Sequence, residues 1–235
     1  MSMELTEKKL FLKIIFISIS SITLLHNILL SLSIAFYPGG NTKSLTQEGF
    51  SLLWNVMCDL GENLALNGEP NQISQILFRI SSILLAVSVI IFFCLIWLFF
   101  QDRKKMKILC LIGTSMIIVA GLLFIGVVFI PQIYETAHIT LLIIAPFLEV
   151  LAILLYTIVF WKDKKFPKIN RITFLIMFIL AMIYVIGVIV GVAVGGDLDL
   201  QVRRAGHTLF TYLLAFGYSI LGIGTYLFVK RQAIT

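Results

Sequence analysis

Residues 77–100 read LFRISSILLAVSVIIFFCLIWLFF, a run in which Arg79 is the only charged side chain. Crossing the hydrocarbon core of a bilayer, roughly 30 Å thick, takes about 20 helical residues. Because this run is long enough and has no charge beyond its first turn, it predicts a transmembrane helix.

Five further runs of this kind lie along the chain. Hydrophobic residues make up 60% of the 235 residues and charged residues 13%, whereas soluble domains have roughly 45–50% apolar and about 25% charged residues. This composition excludes a soluble globule. It predicts an all-α, polytopic bundle of six transmembrane helices that forms a single domain over residues 1–235. The other predicted spans are 10–36, 107–130, 138–161, 171–194 and 206–229.

The charged residues predict how the chain is oriented. The net charge is +6, and most of the 18 lysines and arginines lie at the two termini and in the connectors near 103 and 165. Short basic segments stay on the cytoplasmic side of a membrane. We therefore expect a cell-membrane protein with both termini cytoplasmic and loop 37–76 outside. Basic residues divided among short loops indicate orientation and contact with membrane lipid rather than nucleic-acid binding.

Loop 37–76 is the one long segment that the predicted spans leave outside the membrane. Apolar residues recur in it at helical spacing, at Phe50, Leu53, Met57 and Leu60. This pattern predicts a short amphipathic helix at the membrane surface. Two interpretations stay open: the helix caps the bundle by packing, or it is a lid or headgroup clamp that carries Asn55 and Asp59.

Glu149 is an ionisable residue near the centre of the fourth run. Such a group costs at least about 2.5 kcal/mol to insert, so we expect it to face a partner or a wet cavity. At about 1.5 Å per residue, three other polar residues have a similar depth of about 15 Å, namely His26, Ser88 and Tyr184. Pro146, one turn earlier, favours a kink that widens the space beside the carboxyl group. Three roles stay open: a structural hydrogen bond to His26 or Tyr184, a proton or cation relay, and a ligand anchor.

A second polar layer is predicted at the outer surface. His138 and His207 begin the fourth and sixth runs, and Asp59 and Arg203 lie in outer connectors. Histidine and carboxylate side chains are the ingredients of an intramembrane metal hydrolase, but no paired histidines occur at helical spacing. We therefore predict interfacial caps and no metal site or cofactor. Arg203 with Arg204 forms either a lipid-phosphate site or local ion pairs.

Gly187, Gly191 and Gly195 follow one another at four-residue steps in the fifth run. Small residues at this spacing let another helix approach closely. The stripe predicts either internal packing against the sixth helix, near Gly217 or Gly222, or a homodimer seam.

Short motifs around the first two runs resemble a known family. They are Tyr37-Pro38-Gly39, Asp59-Leu60-Gly61, and Pro70 with Phe78 at the start of the second run. The arrangement resembles a six-span prokaryotic membrane family known as domain of unknown function 998, and more remotely the DRAM-like and Frag-like eukaryotic membrane proteins. The resemblance covers most of the chain and implies six helices with a functional outer loop, but no reaction. Cys58 stands where the family pattern has serine.

Together these features favour a non-enzymatic membrane protein that binds a lipid headgroup or a small-molecule solute in an outward-facing polar cavity. Two alternatives stay open, a metal-dependent lipid hydrolase and a proton-coupled transporter that uses Glu149. The predicted ligand-binding residues are His26, Asp59, His138, Glu149, Arg203 and His207.

Overall fold

The fold is an all-α bundle, as predicted. The computed structural model describes residues 2–164 and 166–231. Within them, six helices are long and apolar enough to cross a membrane, as in a multi-pass membrane protein. They are α1 (Ser2–Ala35), α2 (Gln72–Ile96), α3 (Lys104–Phe129), α4 (Glu135–Lys162), α5 (Lys168–Val194) and α6 (Gly196–Arg231).

Every helix begins earlier than the apolar run that predicted it. The largest difference is at α6, which begins at Gly196 although the prediction placed a connector as far as residue 205. Gly195 alone joins α5 to α6, and its φ of +72° suits glycine. The predicted connector was wrong because polar residues such as Asp199 and Arg203 also form helix where packing supports it.

The six helices form a ring in chain order. Each packs on its neighbours in sequence, and α6 packs on α1 to close the ring. We call the end of the bundle that carries residues 36–71 the loop end. We call the opposite end, which carries both termini, the basic end.

Aromatic side chains fill the half of the ring nearer the basic end. Phe93 lies 4.6 Å from Tyr156 between ring centroids and 6.1 Å from Phe174. The Tyr156 hydroxyl donates a hydrogen bond to the carbonyl of Cys110 at 3.1 Å. Gly113 makes room for this ring, because a Cβ there would lie 2.8 Å from it. The basic-end half is therefore closely packed.

The loop between α1 and α2 folds onto the other end of the ring. Its helix is shorter than predicted, a five-residue 3₁₀ helix from Met57 to Gly61 that follows a turn at 51–54. Met57 and Leu60 are buried in a cluster with Tyr37 and Phe78, while Leu53 is exposed. The segment thus contains a short helix outside the spans, as predicted, and its packing supports the interpretation that it caps the bundle.

The glycines of α5 are used inside the protein. A Cβ on Gly187 would lie 3.4 Å from Val202, and one on Gly191 would lie 3.3 Å from Asp199, both in α6. Gly217 faces Met177 of α5 instead, and Gly222 faces α1. Internal packing against α6 is therefore what Gly187 and Gly191 support, and the homodimer seam stays a prediction.

Candidate functional site

A cavity occupies the half of the ring nearer the loop end. Its volume is about 120 Å³, and all six helices together with the 3₁₀ helix contribute to its lining. Met57 and Cys58 form the roof, and Tyr218 lies at the floor, where the aromatic packing begins. Small residues leave the space open, among them Ala86 and Ala120.

Glu149 lies at the floor of this cavity. The hydroxyl of Tyr218 in α6 donates a hydrogen bond to Glu149 Oε1 over 2.8 Å. The carboxyl group is thus hydrogen-bonded to Tyr218. One interpretation of the sequence had instead predicted a bond to His26 or Tyr184. Oε2 receives no hydrogen bond from the residues that the structure describes, so it is available to a ligand or to water.

His26 also lines the cavity, from α1. It is 2% exposed, and its Nδ1 lies 3.0 Å from the carbonyl oxygen of Ser81 in α2. A carbonyl can only accept, so Nδ1 carries the proton and Nε2 of the neutral ring presents a lone pair. Nε2 is buried and has no hydrogen-bond partner among the described residues. Buried polar atoms are seldom left in this state, which points to a missing partner.

Tyr184 and His207 line the cavity beside one another. The Tyr184 ring stacks on Phe210 with 5.0 Å between centroids, and His207 lies parallel to it at 6.3 Å. Gly206 permits this approach, because a Cβ there would lie 3.3 Å from the Tyr184 ring. In the described part of the chain, neither the Tyr184 hydroxyl nor a ring nitrogen of His207 has a hydrogen-bond partner, so both polar groups remain free to bind a ligand.

Asp59 lies in the roof and is engaged by the protein. Its Oδ2 accepts from the side-chain amide of Asn55 at 2.9 Å and from the backbone of Val56 at 3.0 Å. Its Oδ1 accepts from Gln132 in the α3–α4 turn at 3.0 Å. Asp59 is 5% exposed. These contacts give it a structural role in holding the loop against the bundle, while its predicted role in ligand binding stays a prediction.

His138 lies in a second, much smaller pocket of about 20 Å³ under the roof, together with Glu62 and Arg79. Its Nδ1 is 2.7 Å from the carbonyl oxygen of Ile130. Nε2 has no partner among the described residues, and the same is true of Arg79 Nε. A pocket of this size holds about one water molecule. It is too small for a lipid or an organic solute.

Arg203 and Arg204 project from the first turns of α6, above the cavity. Arg203 forms an ion pair with Asp199 one turn earlier. Arg204 donates to the Thr42 hydroxyl and, over 2.8 Å, to the carbonyl of Trp54. Of the two predicted roles, a lipid-phosphate site or local ion pairs, the contacts of Arg203 and Arg204 support local interactions. Arg204 fastens the loop to α6.

Cys58 lies at the junction of the two pockets. Burial, together with the nearby charges of Asp59 and Glu62, raises the pKa of its thiol to about 12. Cys58 therefore behaves as an apolar side chain at neutral pH, with no nucleophilic thiolate for chemistry.

The structure thus brings together three of the six predicted site residues. His26, Glu149 and His207 line the cavity, joined by Tyr184, whereas Ser88 is buried elsewhere. Asp59, His138 and Arg203 lie at separate places around the roof. Among the residues that the structure describes, no group of three or more His, Cys, Asp or Glu side chains is placed to hold a metal ion.

Tyr218 is the site residue that the sequence analysis missed. It lies 12 residues after Gly206, about 18 Å along α6 from the start of the predicted span. The depth calculation that grouped Glu149 with His26 would therefore have included it. Depth alone does not distinguish it from Tyr184, because rotation about the helix axis decides which tyrosine reaches Glu149.

Comparisons with known proteins give no relative. No family model matches the chain, and no curated protein or solved structure shows significant similarity to it. The resemblance to domain of unknown function 998 stays a prediction.

Proposed function

We propose that this protein binds an amphipathic ligand, a membrane lipid or a small lipophilic solute, in the cavity beneath the loop. Its apolar body would lie against the phenylalanine, leucine and valine side chains, and its polar end against Glu149, His26 and His207. We also propose that both termini are cytoplasmic, which would place the cavity in the outer-leaflet half of the membrane.

One observation carries the proposal. The cavity is mainly apolar, yet polar atoms of Glu149, His26, Tyr184 and His207 that have no partner among the described residues converge on it. A concave apolar site with a few convergent polar groups is typical of small-molecule binding. An engineered apolar cavity of about 150 Å³ binds benzene, so the present volume suits part of a lipid or a small solute.

The roof supports access from the lipid rather than from water. Gln132 ties it to the α3–α4 turn through Asp59 and, by its backbone amide, through Glu62 at 2.8 Å. Arg204 fastens it to α6, and Lys43 adds an exposed ion pair with Asp197 at 2.7 Å. Direct entry from above would have to break these contacts.

The weakest wall of the cavity lies between α4 and α5. Near the basic end these helices are joined, since the Thr157 hydroxyl donates to the carbonyl of Phe174 over 3.2 Å. Towards the loop end, Ile143 and Phe147 of α4 and Ile183 of α5 are all more than 60% exposed. Of the residues of α5, Tyr184 is the one that lines the cavity. We therefore propose that a ligand dissolved in the membrane enters through this wall.

The test is retention of lipid or solute by purified protein. Ala120 lines the cavity and is buried, so Ala120→Leu would fill part of it. We expect native mass spectrometry to find a bound molecule on the wild type and about tenfold weaker retention, about 1.4 kcal/mol, in this variant. Ala137→Leu, on the exposed face of α4, is the matched control and should leave retention unchanged. Equal retention by Ala120→Leu and wild type would contradict the proposal.

The two alternative functions gain less support. A metal hydrolase would need Asp59, His138 and His207 in one place, and they lie in the roof, the small pocket and the large cavity. A transporter would need a path to the basic end, where aromatic side chains such as Phe93 and Tyr218 fill the ring below Glu149.

A further inference from the structure

Two acceptors in the cavity lack a donor among the described residues, His26 Nε2 and Glu149 Oε2. The lining also offers two donors, the Tyr184 hydroxyl and the His207 ring N–H, which can serve an alcohol oxygen. Within the part of the chain that the structure describes, no lysine or arginine lines the cavity. We infer that the polar end of the ligand is a hydrogen-bond donor, an alcohol or an amine, and that an anionic phosphate headgroup is excluded. This inference rests on the proposed function and specifies the ligand class of the same cavity.

The first acceptor is fixed by the backbone of a neighbouring helix. The bond from His26 Nδ1 to the Ser81 carbonyl determines which ring nitrogen carries the proton. Nε2 is then an acceptor, and it is buried without a partner in the described part of the chain. Only a donor on the ligand, or a water molecule, can satisfy it.

The second acceptor is the Glu149 carboxyl group. Tyr218 occupies Oε1 as a donor, and Oε2 is unoccupied by the described residues. An alcohol would donate a hydrogen bond to this oxygen. An ammonium group would in addition form an ion pair with the carboxylate, and charge-assisted bonds of this kind are about twice as strong as neutral ones.

The arginines nearest the cavity point away from it, and the Nε of Arg79, which has no partner among the described residues, lies at the separate small pocket. Arg79 donates to the Gly61 carbonyl at 3.2 Å, with its guanidinium 5.6 Å from the centre of the Phe129 ring. Arg203 pairs with Asp199, and Arg204 donates to the loop. A phosphate in the cavity would therefore lie beside Glu149 with no basic side chain to neutralise it, and an uncompensated buried charge is strongly unfavourable.

Three probes that share one chain and differ in the polar end test this inference. They are octylamine, octanol and octyl phosphate, added to the full-length protein in detergent micelles. A ligand that binds the native state raises the unfolding temperature, Tm. The Ala120→Leu variant is measured in parallel, so that effects of each probe on the micelle are subtracted. We expect octylamine and octanol to raise Tm relative to this variant and octyl phosphate to leave it unchanged.

A carboxamide at position 149 distinguishes the amine from the alcohol. Glu149→Gln keeps a carbonyl acceptor for Tyr218 but removes the charge. We expect it to weaken octylamine binding at least about tenfold. Octanol binding should change less, because the amide NH2 that replaces Oε2 can donate to the alcohol oxygen. Glu135→Gln is the matched control, because Glu135 is exposed at the start of the same helix. If the Glu149→Gln variant is not recovered, the comparison of the three probes on the wild type still decides the class.

The outcomes separate this inference from the proposed function. Binding of octyl phosphate as tight as that of the amine or the alcohol would overturn the donor inference and leave cavity binding intact. If no probe changes Tm relative to Ala120→Leu, the proposed function fails and the ligand class fails with it. Amine binding that survives Glu149→Gln would contradict the ion pair and leave His26 as the main acceptor.

Discussion

The two halves of the helix ring are built from the same six helices but differ in what fills them. In the basic-end half, aromatic rings meet in the centre, with Phe160 and Phe166 at 4.6 Å and Phe166 and Phe228 stacked at 4.2 Å between centroids. In the loop-end half, the rings do not meet in the centre, and residues such as Ala86 and Ala120 surround a cavity of about 120 Å³. Side-chain packing therefore makes one half of the ring filled and the other half hollow.

The comparison also separates two uses of polar side chains. In the basic-end half the Thr114 hydroxyl donates to the Phe93 carbonyl at 3.2 Å and lies 2.7 Å from the Tyr156 hydroxyl, so both hydroxyl groups are paired. In the loop-end half, His26 Nε2 and one oxygen of Glu149 lack such partners among the described residues. Paired hydroxyl groups are typical of a structural network, and missing partners are typical of a site that is completed by a ligand.

The largest expected effect tests the difference in packing. Phe93→Ala removes a fully buried ring from the aromatic half, and we expect a loss of about 3–5 kcal/mol in the free energy of unfolding. Phe124→Ala, in the cavity wall, should cost about 2 kcal/mol less, because one side of that ring already lacks neighbouring atoms. Unfolding in mixed micelles measures both. Equal losses would mean that the two halves are packed alike.

The next effect concerns the thiol in the roof. With a pKa of about 12 rather than the ordinary 9.0, Cys58 should be alkylated about 1000-fold more slowly than an exposed thiol at pH 8. Its rate should rise about tenfold for each pH unit up to pH 12, because the thiolate is the reactive form. Peptide mapping after maleimide treatment measures the rate.

The control for this thiol is a cysteine at an exposed place in the same loop. Leu64 is 58% exposed, so Leu64→Cys should react at the normal rate. If Cys58 reacted as fast as this control, the roof would be open to water and access from the lipid would lose its main support.

Replacing Asp59 tests how firmly the roof is held. Asp59→Ala leaves the donors of Asn55, Val56 and Gln132 without their acceptor, and each unsatisfied buried group costs about 1–3 kcal/mol. Only Asn55 of the three is fully buried, and the donors of Val56 and Gln132 can bind water, so we expect a total loss of about 2–3 kcal/mol in the free energy of unfolding. Asp197→Ala removes only an exposed ion pair and should cost less than about 1 kcal/mol. Unchanged stability of Asp59→Ala would instead favour its predicted ligand role.

The smallest effect is expected at the seams between helices, where the two halves should agree. Ser219 donates to the Ser20 carbonyl in one half at 3.2 Å, and Ser33 donates to the Ser74 carbonyl in the other at 2.8 Å. Hydrogen bonds between membrane helices contribute about 0.6 kcal/mol on average. Ser219→Ala and Ser33→Ala should therefore each cost about this amount in the same unfolding assay. A large difference between the two losses would mean that the halves differ in the hydrogen bonds between their helices and not only in the side chains that fill the centre.

The sequence predicted the six helices well because apolar length is a local property. It was less successful where helices continue into polar residues, as at Gly196, and where a loop is held by contacts distant in sequence. The helical spacing of Phe50 to Leu60 predicted an amphipathic helix. Asp59, Asn55 and Gln132 impose a compact turn and a 3₁₀ helix instead.

For the candidate site, depth along each helix was readable but rotation about the helix axis was not. Equal depth grouped His26, Tyr184 and Glu149, and all three line one cavity. The same reasoning included Ser88, which faces elsewhere, and placed His138 and His207 in one layer although they lie in different pockets. Rotation depends on the packing of neighbouring helices, which a single segment does not specify.

By itself the sequence determined the class of protein and the number of helices, because the cost of placing polar groups in hydrocarbon acts on each segment separately. Only the tertiary structure decided that Tyr218 bonds to Glu149, that Ser81 fixes the proton of His26, and that the arginines of α6 turn away from the cavity. These features depend on how six helices are rotated against one another, and that rotation is set by contacts between residues far apart in the chain.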